Sequence, residues 1–129
     1  SDSRVWYKVN TKLGGPRSSV TLKFNLPGST STPLNSVLLS LFVEMLDDEL
    51  NSMSYLASIA GLHHEIGLAR SGLSLSISGY SHKLDNLLDR VTNTLLKFTK
   101  DESVWNESRE ERFNIIKEKM LRNLKNFGY

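Results

Sequence analysis

The chain has no cysteine, so it can form no disulfide and offers no thiolate to a metal or to catalysis, a usage that suits a reducing compartment. Long hydrophobic runs are also missing. None approaches the roughly 18 consecutive apolar residues of a membrane-spanning helix, and the opening Ser1-Asp-Ser-Arg-Val5 lacks the charged and apolar layout of a secretion signal. Excess charge is absent too: sixteen Lys+Arg against fourteen Asp+Glu leave a net +2, too little to announce a nucleic-acid partner or an anionic membrane. No glycine-rich phosphate loop, Gly-x-Ser-x-Gly elbow or Cys-His pairing occurs, and no serine stands in a recognisable nucleophile setting. Prolines number three, and the one stretch rich in breakers, Pro27-Gly-Ser-Thr-Ser-Thr-Pro33, reads as a connection within one domain. Internal repeats and low-complexity tracts are lacking.

What is present is ordinary for a globular domain: 129 residues, 39% hydrophobic and 23% charged, enough to enclose a core as a single domain. Strict alternation marks strands with one wet and one dry face. Val5, Tyr7 and Val9 alternate with Trp6, Lys8 and Asn10, and after a Leu13-Gly-Gly-Pro16 turn Val20, Leu22, Phe24 and Leu26 do the same. A second pair follows, with Leu62, His64, Ile66 and Leu68 on one face, a turn at Arg70-Ser-Gly72, then Leu73, Leu75 and Ile77 separated by serines, which predicts a hairpin.

Spacings of three and four predict helices elsewhere. Thr32-Pro33 supplies an N-cap and a first-turn proline ahead of Leu34, Val37, Leu38, Leu41, Phe42 and Met45. The pattern falters near Asp47-Asp-Glu-Leu50 and resumes through Met53, Leu56 and Ile59 to a stop at Gly61. Leu84, Leu87, Leu88, Val91 and Leu95 mark a helix opened by Ser81. Phe113, Ile116, Met120, Leu124 and Phe127 mark another, whose interleaved charges read as a solvated face. Asn106-Glu-Ser108 matches a glycosylation acceptor, but Ser108 with Glu111 is better read as this last helix's capping box. The predicted order, strand, strand, helices, strand, strand, helix, helix, describes an α+β fold: an antiparallel sheet with helices packed on one face.

Gly61-Leu-His-His-Glu-Ile-Gly67 raises the question of a metal. On a strand, His63 and His64 point to opposite faces and cannot easily close on one ion. His63 and Glu65 share the wet face, which makes them a weak two-ligand alternative lacking a third group. His64 is expected to be a hydrogen-bonded core histidine, His82 a residue of the helix start, and Trp6 and Trp105 packing residues.

Leu41-Phe-Val-Glu-Met45, then Leu46-Asp-Asp-Glu-Leu-Asn51, then "YLASIAGLHHEIG" running into "GLSLSISGYSHKL", form an ordered succession. It resembles the pitrilysin/insulinase family of zinc metallopeptidases, on its insulin-degrading-enzyme and nardilysin side. The likeness runs from Val5-Trp-Tyr-Lys8 through Phe113-Asn-Ile-Ile-Lys-Glu118 to Leu124-Lys-Asn-Phe127 and corresponds to the third of four related domains. No single motif is diagnostic; the ordered combination carries the resemblance.

The resemblance implies an αβ-roll of the LuxS/MPP-like metallohydrolase type. It also implies a degenerate site. The family's catalytic domain carries H-x-x-E-H on the corresponding helix, two zinc-binding histidines with a glutamate as general base; here the pattern reads Leu41-x-x-Glu44-Met45. Glutamate is retained and both ligands are apolar. The third ligand would fall near Lys117 to Arg122, where Glu118 cannot be assigned to it. The resemblance thus implies no catalytic residue and no metal or other cofactor in this segment, zinc belonging to the parent's catalytic domain.

The implied role is to help enclose a peptide chamber, with the parent's other domains and its peptide substrates as partners and the cytoplasm as compartment. Residues 1–129 would be the N-terminal part of a longer domain, leaving apolar surface uncovered and open to dimer formation. The competing reading is a free-standing structural or interaction module of the same fold without peptidase activity.

Overall fold

Two periodicities organise the chain, and the computed structural model gives each its element. It describes residues 3–9, 14–59, 61–100 and 106–126, with the backbone alone for 52–57 and 59. The order is β1 (Arg17–Asn25), α1 (Pro33–Ile59), β2 (His63–Ala69), β3 (Gly72–Tyr80), α2 (Ser81–Lys100) and α3 (Glu107–Asn126). The three strands form an antiparallel sheet in the order β1-β3-β2, so β3 is central. Alternation sets the register. Val20, Ile77 and His64 lie in one cross-strand row, Leu22, Leu75 and Ile66 in the next, and Phe24, Leu73 and Leu68 in the third. The opposite face carries the rows Ser19, Ser78, His63 and Thr21, Ser76, Glu65, with Thr21 and Ser76 hydroxyls 3.0 Å apart.

Arg70 and Ser71 close the β2-β3 hairpin, and the turn is tied to β1: the Leu26 N–H donates to the Ser71 carbonyl at 2.8 Å and the Ser71 hydroxyl to Asn25 Oδ1 at 2.6 Å. Helix α1 starts as its sequence dictates. The Thr32 hydroxyl accepts from the Asn35 N–H at 3.1 Å, and Pro33 occupies the first turn, where its missing N–H costs nothing.

Helices α1 and α2 cover the dry face of the sheet. Leu46 and Leu50 of α1, Leu75 and Ile77 of β3, and Leu84, Leu87 and Val91 of α2 form the main apolar cluster together with Leu62; Leu39, Val43 and Leu73 form a smaller one. Phe42 and Phe98 meet edge to face with centroids 5.5 Å apart and join the two helices. Helix α3 lies against α1. The α+β class and the one-sided helical layer are as the sequence predicts.

Four features differ. Residues 3–9 are not a strand: they are irregular, with Val5 and Trp6 each 90% exposed and Tyr7 86%. Alternation there lacks a ladder, and strand propensity alone does not supply one, because it expresses packing against neighbours. The observed sheet therefore has three strands in place of four.

Helix α1 is continuous through Asp47-Asp48-Glu49, because Leu46 and Leu50 keep the buried stripe unbroken while Asp47 lies beside His64 of β2 and Asp48 and Glu49 reach toward α3. Its stripe is also rotated relative to the sequence reading. Leu39, Val43, Leu46 and Leu50 face the core, whereas Leu34, Val37 and Leu38 are exposed. The side chains of Met53, Leu56 and Ile59 lie outside the described residues.

Finally, Asn106 rather than Ser108 caps α3, its Oδ1 accepting from the Arg109 N–H at 3.0 Å. Ser108 is already inside the helix, two residues past the capping position.

Candidate functional site

Leu41 and Met45 stand four residues apart on α1, the spacing that brings two side chains to one helix face and lets two histidines share a metal. The groups present are different in kind. Leu41 is half-buried hydrocarbon, and Met45, 7% exposed, lines a cleft of about 470 Å³ together with Phe98 of α2 and Ile116 of α3. Glu44, between them in sequence, is exposed.

The partner of Glu44 comes from α3. Lys119 Nζ donates to Glu44 Oε2 at 3.1 Å, so the region in which the third ligand was expected, Lys117 to Arg122, delivers a cation to the glutamate. Glu118, next to it, is exposed. Two further pairs extend the contact: Arg112 Nε to Asp48 Oδ2 at 3.0 Å and Arg109 to Glu49 Oε2 at 3.0 Å. The Arg109 guanidinium also lies over the Phe98 ring, 4.7 Å from its centroid. Chemically the site is a hydrocarbon and a thioether beside a carboxylate paired with an ammonium. It presents no imidazole.

The ion pairs escaped the reading of α3 as a solvated charged helix. A signal did exist: Arg109, Arg112 and Lys119 recur at spacings of three and seven on α3, while Glu44, Asp48 and Glu49 recur on α1 at four and five. Two helical faces of opposite sign are what an interhelical seam requires, although neither names its partner.

The second metal reading fails to gather a third group. His63 and Glu65 share the wet face, as predicted, with Ser78 and Ser76 as their cross-strand neighbours. Among the described residues no three of His, Cys, Asp and Glu converge. His64 lies on the dry face as predicted, its side chain 6% exposed, but its Nε2 stands 3.7 Å from Asp47 Oδ1, too long for the expected hydrogen bond. His82 is the second residue of α2, its ring 6.2 Å from that of Tyr80. Trp6 is exposed, not packed, and Trp105 lies outside the described residues.

The family model described as the middle or third domain of peptidase M16 matches residues 1–129. Among curated proteins, the chain is 35% identical over 98% of its length to the peroxisomal insulin-degrading enzyme-like 1 of Arabidopsis thaliana and 38% identical over 98% to insulin-degrading enzyme-like 2 of the same plant. It is 33% identical over 97% to the human insulin-degrading enzyme. In each case the match covers 12% of the relative, so the chain spans about an eighth of the proteins it resembles.

Proposed function

The chain belongs to the family of the middle or third domain of the M16 peptidases, and from that premise we propose that it is a non-catalytic domain of an insulinase-like zinc metalloendopeptidase. One observation carries the reading: the helix position at which two zinc-binding histidines would stand holds Leu41 and Met45, and the glutamate between them is engaged by Lys119. Leucine and methionine offer neither the nitrogen nor the anionic oxygen that zinc needs, and the Lys119 ammonium already supplies Glu44 with its counter-charge. These residues do not fit the ion. Metal-dependent hydrolysis would belong to another domain of the parent, and no step of it runs through this chain.

The role left to the domain is architectural. Its one-sided helical layer is part of an αβ-roll of the LuxS/MPP-like type, residues 1–129 being the N-terminal portion of that roll. It helps wall a chamber that admits extended peptides and excludes folded proteins, with the parent's other domains as partners and its peptides as substrates. Exposed Leu34, Val37 and Leu38 on α1 support a neighbouring domain packing there. Among the described residues no helix is long and apolar enough to cross a membrane. The cytosol is the proposed compartment, although one relative's name places that protein in peroxisomes.

The test is a quenched fluorogenic peptide offered to the purified 129-residue chain with and without added zinc. Cleavage at the buffer rate is expected under both conditions. Zinc-dependent turnover that disappears in Glu44→Gln would overturn the proposal.

A further inference from the structure

Helix α3 is attached differently from the rest of the molecule. Ile116 is its one buried residue among those described, and Ile116 belongs to neither apolar cluster. Helices α1 and α2, by contrast, place five leucines and two valines in those clusters. Beside Ile116 and the half-buried Phe113 and Met120, α3 has charge: Lys119 to Glu44, Arg112 to Asp48 and Arg109 to Glu49, all reaching the same helix. Most of these groups are open to water, with side-chain exposures of 61% and 46% for the first pair and 56% and 38% for the second. Arg109, at 12%, is the sheltered one, held between Glu49 and the Phe98 ring.

We infer that α3 is a salt-releasable strap: it undocks from α1 as a unit when its ion pairs are screened, while the sheet and the other two helices stay folded. Opening uncovers Met45 and releases the carboxylates of Glu44 and Asp48 from their α3 partners. The physics is that of exposed ion pairs. Raising ionic strength from about 0.1 M to about 1 M shortens the screening length from roughly 10 Å to roughly 3 Å, which weakens solvated charges and leaves buried apolar contacts intact. The two exposed pairs weakened together shift a local opening equilibrium by up to roughly tenfold, the sheltered Arg109–Glu49 pair being screened less. The apolar contacts of the sheet are strengthened, if anything, by salt, so the two parts of the molecule respond in opposite senses.

Hydrogen exchange read by mass spectrometry on the 129-residue chain tests the inference at about 0.1 M and about 1 M sodium chloride. Amides of Glu107–Asn126 are expected to exchange up to about tenfold faster at the higher salt, with those of Gly72–Tyr80 unchanged or slower. Exchange in α3 that is insensitive to salt, or that follows β3, would overturn the strap. The charge-reversing Lys119→Glu should open α3 already at low salt, and adding Glu44→Lys should close it again. Because that rescue restores the pair in the opposite sense, a variant that merely misfolds is told apart from one that undocks. Failure of the double variant to recover protection in a chain whose β3 remains protected also counts against the inference. Neither outcome bears on whether the domain cleaves peptides.

Discussion

Replacing Leu46 with alanine is expected to cost about 2–5 kcal/mol of folding stability, the range for emptying a buried leucine site. Leu46 is fully buried on the core face of α1, in the cluster that joins that helix to β3 and α2. Truncation removes three carbons of contact, and a cavity between a helix and a sheet closes poorly, because moving α1 inward would disturb Leu50 and Leu39 on the same face. Against a total of about 5–15 kcal/mol for a domain of this size, the loss should halve the urea midpoint or unfold the chain outright. Leu34→Ala is the control. Leu34 is 66% exposed although it carries the same side chain in the same helix, and its truncation should stay within about 0.5 kcal/mol. Equal losses at the two positions would mean that the face of α1 toward the sheet has been misassigned.

A comparable effect is expected at Gly72, from backbone rather than packing. Gly72 opens β3 with φ +153°, and a Cβ there would fall on the carbonyl oxygen of Phe24 and 3.0 Å from the Leu26 nitrogen. Both atoms are backbone of the paired strand and its exit, held by the Leu26 to Ser71 hydrogen bond, so they cannot swing aside as a side-chain end would. Gly72→Ala should therefore cost about 3 kcal/mol or more, combining a sparsely populated φ with a clash that pries β1 from the hairpin. Gly67, on β2, has no neighbour within 4 Å of a built Cβ and no positive φ. Gly67→Ala is expected to be neutral or to gain about 0.4–1 kcal/mol by restricting the unfolded chain. Urea melts of the two variants side by side check the contrast, and similar stabilities would contradict the register of β1 on β3.

The contrast between these positions shows what a linear sequence can convey. Strand β1 and the β2-β3 hairpin were legible because alternation of apolar and polar residues reports directly which face is buried. The start of α1 was legible because Thr32 and Pro33 act locally. Val5 to Val9 alternate just as well and form no strand, since alternation describes a face but cannot supply the neighbouring ladder.

The rotation of α1 was hidden for a related reason. Its first half is apolar at 34, 37, 38, 39, 41, 42, 43, 45 and 46, nearly all round the helix, so only the sheet decides that Leu39 and Val43 turn inward and Leu34 and Leu38 outward. At the candidate site, the chemistry of Leu41, Glu44 and Met45 could be read from the residues once the family pattern had been laid over them. That Lys119 closes on Glu44 could not, because the contact depends on how α3 returns across α1, which neither helix encodes alone.

Under the proposed function, Leu41 and Met45 serve packing and Glu44 an internal ion pair, where the family's catalytic domain would ligate metal. Equilibrium dialysis of the metal-free 129-residue chain against zinc, with the bound metal then quantified, tests that claim most directly. Far less than one zinc per chain is expected at micromolar zinc, with no change on Glu44→Gln. One tightly held zinc per chain, lost in that variant, would contradict that claim.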